Sequence, residues 1–346
     1  MQPKTKLLFA AMTVAMATTY GVESVTEQFN VTPTVAQELQ DAIVESEEFL
    51  GMVNLVPVDE LKGQKVLGSV SGLVAKRTDT DAGDRQPSNL VSLGAKDYEL
   101  HFTEFDAYLP YSTVDAWAKF KNFEERYAMW MRRAIALSRI KTGWHGTSVA
   151  AVTNPATNTM GEDVNIGWLQ LLREYASGKQ WFTEGTKQAG KIRIGAGGDF
   201  SNLDAAVHAA KMMVNPLLRG AGDLVAIVGE DLVAEEKQAL YEALGQKPTE
   251  KERIETEVIS KVYAGCKLVT DVPFFPGRGL LVTSLDNLSI YYQTDSWRRA
   301  VKDKPERSRV EEYNSVNDGY VIEDEEKAAG FEPANVQLPD GLGGWA

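Results

Sequence analysis

Three groups of residues have types that could do chemistry, and each meets a spacing requirement that decides it. Gly195-Ala-Gly-Gly-Asp199 resembles the start of a phosphate-binding loop. A dinucleotide fingerprint needs Gly-x-Gly-x-x-Gly between a strand and a helix, with an acidic residue about 20 positions on. Position 200 is Phe and no Gly-Lys-Ser/Thr follows, so the third glycine and the phosphate lysine are both missing. Asp199 or Ser201 suits better the N-cap of a helix that begins near Leu203. Asp79, Asp81 and Asp84 beside Gly83 suggest calcium. An EF-hand loop wants glycine sixth and glutamate twelfth, and counting from Asp79 finds Asp84 and Leu90 there. A solvated loop tip fits these residues better. His101, His145 and His208 are the only histidines, and no two have the spacing of a zinc pair. No Gly-x-Ser-x-Gly elbow is present. The single cysteine, Cys266, precedes an apolar run and has no readable His or Asn partner, so it reads as a buried structural thiol. No residue is therefore assigned a catalytic, cofactor-binding or metal-binding role.

Composition sets the remaining bounds. The 346 residues are enough for two cores. The net charge of -13 argues against a protein that grips nucleic acid through its phosphates, which takes a basic surface. It fits a wall that must not stick to enclosed DNA, and it also fits plain solubility. One cysteine permits no intrachain disulfide. At the N-terminus, Lys4 and Lys6 precede an apolar run, Leu7 to Ala17, that ends in Ala15-Met-Ala17. That is the pattern of a secretory signal. It is equally the pattern of an amphipathic helix with Leu8, Met12, Ala15 and Met16 on one side and Thr5, Lys6 and Thr13 away from it. Nothing elsewhere approaches the ~20 apolar residues of a membrane span.

The elements follow from periodicity. Residues 32–52 read as a helix that starts at Thr32-Pro33, with an acidic outer side. Val66, Gly68, Val70, Gly72 and Val74 repeat with a strand period of two. A polar, turn-rich tip at 78–87 follows, and Tyr98 to Tyr108 return as strand. Such an arm buries little alone and needs a neighbour to lie on. Residues 112–142 form the clearest helix, capped by Ser112 with Asp115 and stopped by Gly143. Its stripe of Val114, Trp117, Phe120, Tyr127, Trp130, Ala134 and Leu137 is expected to pack on the sheet of its own subunit. From 195 to 290 helix and strand alternate: helix 201–218, strand 224–228, helix 232–244, then strands at Leu268-Val269 and 279–283. Gln246–Glu257 is a charge-rich surface segment, and the Gly- and Pro-rich tail 331–346 reads as loose. Near the C-terminus a strand, a basic turn and another strand place positive charge ahead of negative.

Several stretches together resemble the major capsid proteins of P2-like tailed phages. They are Asn54–Gly63, Thr78–Thr80, Asp84–Pro87, Gly167–Gln170, Pro273–Pro276, Leu285–Tyr292, Trp297–Lys302, Arg309–Tyr313 and Asp318–Glu323. None is specific alone, but their order is the family's from about Phe29 to Glu326. The resemblance implies an α+β, HK97-like capsid fold with an N-terminal arm, an extended β-hairpin loop, a long spine helix and a βα axial domain. It divides the chain into a cleaved assembly leader at 1–29, an arm at 30–63, an extended loop at 64–108 and a peripheral domain at 109–194. An axial domain at 195–284, a return to the peripheral domain at 285–330 and a tail at 331–346 complete it. It implies self-assembly of hexamers and pentamers into an icosahedral head, with a scaffold that supplies the maturation protease, a portal protein and packaged double-stranded DNA held without sequence-specific contact. It places the chain in the virion, with assembly in the host cytoplasm, no membrane, no cofactor and no enzymatic activity. Cleavage is expected near Phe29-Asn30, in an exposed segment. Lys76, Arg77, Arg85, Arg298, Arg299, Arg307 and Arg309 are the candidate intersubunit contacts, facing acidic surfaces of neighbouring copies such as Glu45–Glu48 or Glu323–Glu326. The competing reading is a periplasmic enzyme with a βα nucleotide-binding-like domain, built on the signal-like N-terminus and the glycine run.

Overall fold

The computed structural model describes residues 3–70, 91–117, 123–244, 262–341 and 343–346. Helix α1 (Pro3–Tyr20) leads to a short strand β1 (Phe29–Asn30) and helix α2 (Pro33–Val44). Strands β2 (Asn54–Val58), β3 (Lys62–Val70), β4 (Val91–Glu99), β5 (His101–Glu104) and β6 (Ala107–Pro110) follow. Helices α3 (Tyr111–Trp117), α4 (Phe123–His145) and α5 (Trp168–Glu174) come next, then β7 (Trp181–Phe182), β8 (Ile192–Arg193) and α6 (Leu203–Met213). The chain continues through β9 (Val225–Val228), α7 (Glu230–Leu244), β10 (Val262–Tyr263), β11 (Cys266–Val269) and β12 (Leu280–Thr283). It ends with β13 (Leu288–Gln293), β14 (Arg298–Lys304), β15 (Arg309–Ile322), β16 (Ala329–Phe331) and β17 (Val336–Gln337).

Two larger sheets organise these elements. In the first, the order is β1-β14-β15-β13-β2, and the long β15 also pairs with β5 and β6. In the second, the order is β10-β11-β9-β12-β16-β7. The buried apolar side chains fall into two principal clusters. One joins α2, α4 and α5 to the first sheet through Ile43, Ile140, Trp144, Trp168 and Ile290. The other joins α6 to the second sheet through Val207, Ala210, Ile192, Leu280 and Phe331. Strands β3 and β4 form a separate two-stranded antiparallel ladder, from Lys62 opposite Glu99 to Val70 opposite Val91.

The helix in the middle of the chain departs from its expected stripe. Val114 and Tyr127 are buried as predicted, but Trp130 is 60 % exposed and Ala134 is exposed too. The inward row is Tyr127, Met131, Ile135, Arg139 and Ile140. Trp130 dominates the aromatic pattern in sequence, yet the four-residue step from Tyr127 reaches Met131. Residues 118–122 of the predicted helix, including Phe120, lie outside the described residues. Gly143 does not end α4 either. It lies within the helix, and a Cβ there would come 2.4 Å from the Trp168 ring. Its role is close approach, not termination.

Other boundaries move for local reasons. Helix α2 stops at Val44, where Glu45, Glu47 and Glu48 would oppose the helix dipole, and the Ser46 hydroxyl donates to the Ile43 carbonyl at 2.6 Å. Helix α6 stops at Met213, where Val214 turns to extended backbone (φ -60°, ψ 144°) two residues before Pro216. Its N-cap is Asn202, whose side chain accepts from the Ala205 N–H at 2.9 Å, and not Asp199 or Ser201. The basic run is itself a strand, β14, and the turn is the following Pro305–Ser308. The tail is not loose: Phe331 and Val336 are buried, β17 pairs with β8, and the Leu338 N–H donates to the Ala346 carbonyl at 3.1 Å.

Candidate functional site

The hairpin of β3 and β4 is held to the rest of the chain at its root. Lys65 donates to Glu325 Oε1 at 3.0 Å and also to the Ile322 carbonyl. Lys96, on the facing strand, pairs with the other oxygen of the same carboxylate. One glutamate therefore clasps both strands. Burial lowers the pKa of Lys65, against the attraction of Glu325. The Lys96 ammonium also lies 4.3 Å from the centre of the Tyr175 ring. Tyr98 meets Tyr291 edge-on at 5.1 Å. Across the hairpin Tyr98 covers Gly63, where a Cβ would fall within 2.4 Å of its hydroxyl. None of these residues was expected from the sequence to make a contact within the chain. Glu325 belongs to an acidic block expected to face other copies, and only its position after β15 brings it to the hairpin. Glu323 and Glu326 are likewise engaged within the chain, by Ser289 and Tyr291 and by Asn215.

The candidate contact arginines separate by strand alternation. Arg298 points outward and is exposed. Arg299, expected as a contact between copies, points inward and is 7 % exposed, so the folded subunit does not present it at the surface. Its guanidinium donates to Glu312 Oε1, at 2.9 Å from Nε and 2.5 Å from Nη2. Asn314 and Tyr127 also donate to that carboxylate. Arg307 is exposed, 3.9 Å from Glu311. Arg309 is half-buried, pairs with Glu311 at 2.6 Å and lies 4.3 Å over the Tyr108 ring. Hydrogen bonds from Tyr313 and Arg309 hold the Glu311 carboxyl below its usual range. Lys76, Arg77 and Arg85 lie outside the described residues.

Phe29 and Asn30 are strand β1, opposite Arg299 and Arg298 at the edge of the first sheet. The segment before them is exposed at most positions, but Val25 is 2 % exposed and its carbonyl accepts from the Val301 N–H at 2.8 Å. The expected fully exposed linker is therefore pinned at its middle. Helix α1 closes with Gly21 in the left-handed region (φ +64°) and Val22 N–H donating to the Ala17 carbonyl at 2.9 Å. Its inward side differs from expectation: Thr5 is buried with Met12, and Ala15 is exposed.

The residues first weighed for chemistry have structural employment. Asp199 accepts from the N–H groups of Thr186, Lys187 and Arg193 at 2.7, 2.8 and 3.0 Å. Burial would raise its pKa, but these bonds outweigh it and hold the carboxyl below its ordinary value. The glycine run folds around this clasp; Gly195 and Gly197 take positive φ. Ring atom Nε2 of His145 is 2.8 Å from the Phe274 carbonyl. Cys266 is buried, and burial raises its pKa. Among the described residues no group of His, Cys, Asp or Glu could hold a metal ion, and no helix is long and apolar enough to cross a membrane. Asp79, Asp81 and Asp84 lie outside the described residues. A cavity of about 410 Å³ opens between β5, α4 and the 153–165 loop, above Asp318 and Tyr320.

Comparisons with known proteins agree with this architecture. The family model described as phage major capsid protein, P2 family, matches residues 8–334. The capsid protein of Escherichia phage P2 is 36 % identical over 98 % of this chain and 96 % of its own length. The major capsid protein of Serratia phage KSP20 is 32 % identical over 92 % of this chain and 93 % of its own. Among solved structures, a chain of the satellite phage P4 procapsid with its size determination protein superposes with a TM-score of 0.76 at 34 % identity, covering 98 % of this chain and 99 % of that one. A cyanophage A-1(L) capsid chain, 14 % identical, shares the fold alone at a TM-score of 0.50, over 83 % of this chain and 92 % of that one. The competing reading of a periplasmic enzyme finds no support among these relatives. The fold is α+β and HK97-like, and the chain belongs to the P2 family of phage major capsid proteins.

Proposed function

We propose that copies of this chain assemble into the icosahedral head shell of a tailed phage, as hexamers and pentamers, and that the shell holds double-stranded DNA without reading its sequence. The observation that carries this reading is kinship along nearly the whole chain with capsid proteins, at 36 % identity over 98 % of its length. The hairpin adds support. It is a ladder of its own, it continues into a polar segment at 78–87, and its root is clasped by Glu325. A hairpin buries too little to be stable alone, so an arm of this kind gains by lying on a neighbour. Lys76, Arg77 and Arg85, which follow β3 in sequence, with the exposed Arg298 and Arg307 and the half-buried Arg309, are the candidate contacts between copies. In this reading residues 1–29 are an assembly leader, 112–142 the spine-helix region and 195–284 the axial domain. Its partners are an internal scaffold with its protease and a portal protein, and the chain itself does no chemistry. The net charge of -13 suits an inner wall that repels the packaged duplex.

Negative-stain microscopy of the purified chain, expressed with and without its scaffold, tests the proposal. Closed shells support it, and a small monodisperse species under both conditions overturns it.

A further inference from the structure

Residues 3–30 do more than precede the fold. Helix α1 lays Met12 against a buried cluster containing Val114, Tyr127, Met131, Val301 and Val310. At the helix's last position, Tyr20 accepts a hydrogen bond from Arg299 Nη1, and its ring lies 5.2 Å from the guanidinium carbon. Tyr20 in turn packs on Phe29 of β1 at 5.4 Å. Around Arg299 and Glu312, the other walls are Tyr127, Asn314 and strands β14 and β15. Helix α1, with Phe29 of β1 opposite Arg299, is what the first 30 residues supply. On the far side of α1, Leu7 and Val14 are exposed. The leader thus touches the body through an apolar cluster, Tyr20, the Val25 carbonyl that accepts from the Val301 N–H at 2.8 Å, and the two-residue strand β1.

We propose that residues 3–30 act as an intramolecular cover, in which α1 and Tyr20 keep the Arg299–Glu312 pair and the edge strand β14 away from water until the leader is displaced. The proposal rests on the capsid reading for its biological use, since a removable leader gives the cover a time to open. Its physics does not depend on assembly. A buried ion pair tolerates its loss of solvent only while its hydrogen-bond partners stay in place. When the cover lifts, the pair gains water, β14 loses β1 and keeps only β15 as its neighbour, and the cluster under Met12 is bared. These three changes form one cooperative unit, as sub-global opening generally does.

Hydrogen–deuterium exchange on the unassembled full chain tests this. Tyr20→Ala removes the ring and the hydroxyl, and Tyr20→Phe removes the hydroxyl alone. Tyr20→Ala should raise exchange about tenfold or more in α1, in 297–304 and in 125–135 together, with β12 unchanged as the internal control. Tyr20→Phe should raise the same peptides about two- to fivefold, the loss expected of one hydrogen bond. If α1 exchanges faster while 297–304 keeps its protection in both variants, the cover does not exist. Should Tyr20→Ala also loosen β12, Tyr20→Phe decides: a selective rise in 297–304 supports the cover and none overturns it. Shell formation is scored separately. A chain that never forms shells but shows this exchange pattern loses the capsid reading and keeps the cover, and the converse result does the reverse.

Discussion

Arg139 of α4 and Asp318 of β15 form an ion pair, Nε to Oδ2 at 3.4 Å, with their side chains 1 % and 2 % exposed. The pair is set in a polar network. Thr103 donates to Asp318 Oδ1 at 2.7 Å, and Arg139 donates to Gln40 Oε1 at 2.6 Å. The Tyr320 hydroxyl donates to the Arg139 carbonyl at 2.8 Å. The network ties α2, α4, β5 and β15 at one point, so it sets register between the long helix and the sheet. Burial pushes the Asp318 carboxyl upward, and Arg139 opposes that push.

Removing one partner of this pair strands the other. Arg139→Met or Asp318→Leu should each cost about 3–5 kcal/mol in urea denaturation of the unassembled chain. The double variant Arg139→Met/Asp318→Leu should cost much less than the sum, because no charge is left unpaired. Strictly additive losses would show that the two side chains do not act as a pair.

A glycine in a helix usually gives way to alanine with a small gain. Gly143 reverses the sign. The added Cβ would meet the Trp168 ring at 2.4 Å, and Trp168 is wholly buried against Trp144 at 4.9 Å and Tyr320 at 5.2 Å. The ring has nowhere to go, so Gly143→Ala should destabilise by about 1–3 kcal/mol. A stabilised variant in thermal denaturation would mean that the helix and α5 can move apart freely.

Burial ranks the residues of α4 differently from their size. Trp130→Ala should cost under about 1 kcal/mol, as at other exposed positions. Ile140→Ala, at a fully buried site, should cost about 2–5 kcal/mol. Denaturation midpoints of the two variants compare them directly.

These contrasts show what was legible in the sequence and why. Element types came through wherever apolar residues repeat, as in α6, α7, β9 and β12. The family was legible because short stretches keep their order, though none carries chemistry. Orientation was not. Arg299 looks like its neighbour Arg298 in sequence, and only the β-alternation, fixed by pairing with β15, turns it inward to Glu312. Glu325 looks like solvated acid until the chain brings Lys65 and Lys96 to it. The tail looks loose because its glycines and prolines hide a two-residue pairing with β8. Contacts of high sequence separation leave no local signal.

The clasp at the hairpin root predicts a pH dependence. Burial lowers the Lys65 pKa from its ordinary 10.5, against the pull of Glu325. Between the folded and unfolded values the unfolded chain binds more protons, so stability rises as pH rises through that window. Glu325→Gln removes the opposing attraction and extends the window downward. Chemical denaturation between about pH 7 and 10 should then show a steeper rise for Glu325→Gln than for the parent, and a flatter one for Lys65→Met. Parallel curves for all three would place Lys65 in water.

The leader supplies the last prediction. In mature particles the chain should lack about 29 residues, with the new terminus near Asn30; this expectation comes from the family resemblance and the unpatterned 22–30 segment. The bond between Phe29 and Asn30 lies in β1, against Arg299 and Arg298, and Val25 is pinned to Val301. A protease needs an extended, accessible strand, so β1 must first leave the sheet edge. A non-specific protease acting on the folded, unassembled chain should therefore cut first around Glu23-Ser24 or Thr26–Gln28, which are exposed, and reach Phe29-Asn30 later. Intact-mass analysis reads both experiments. Loss of about 17 residues would indicate export processing after Ala17 instead. An uncut chain in DNA-filled particles would make the leader a permanent part of the shell.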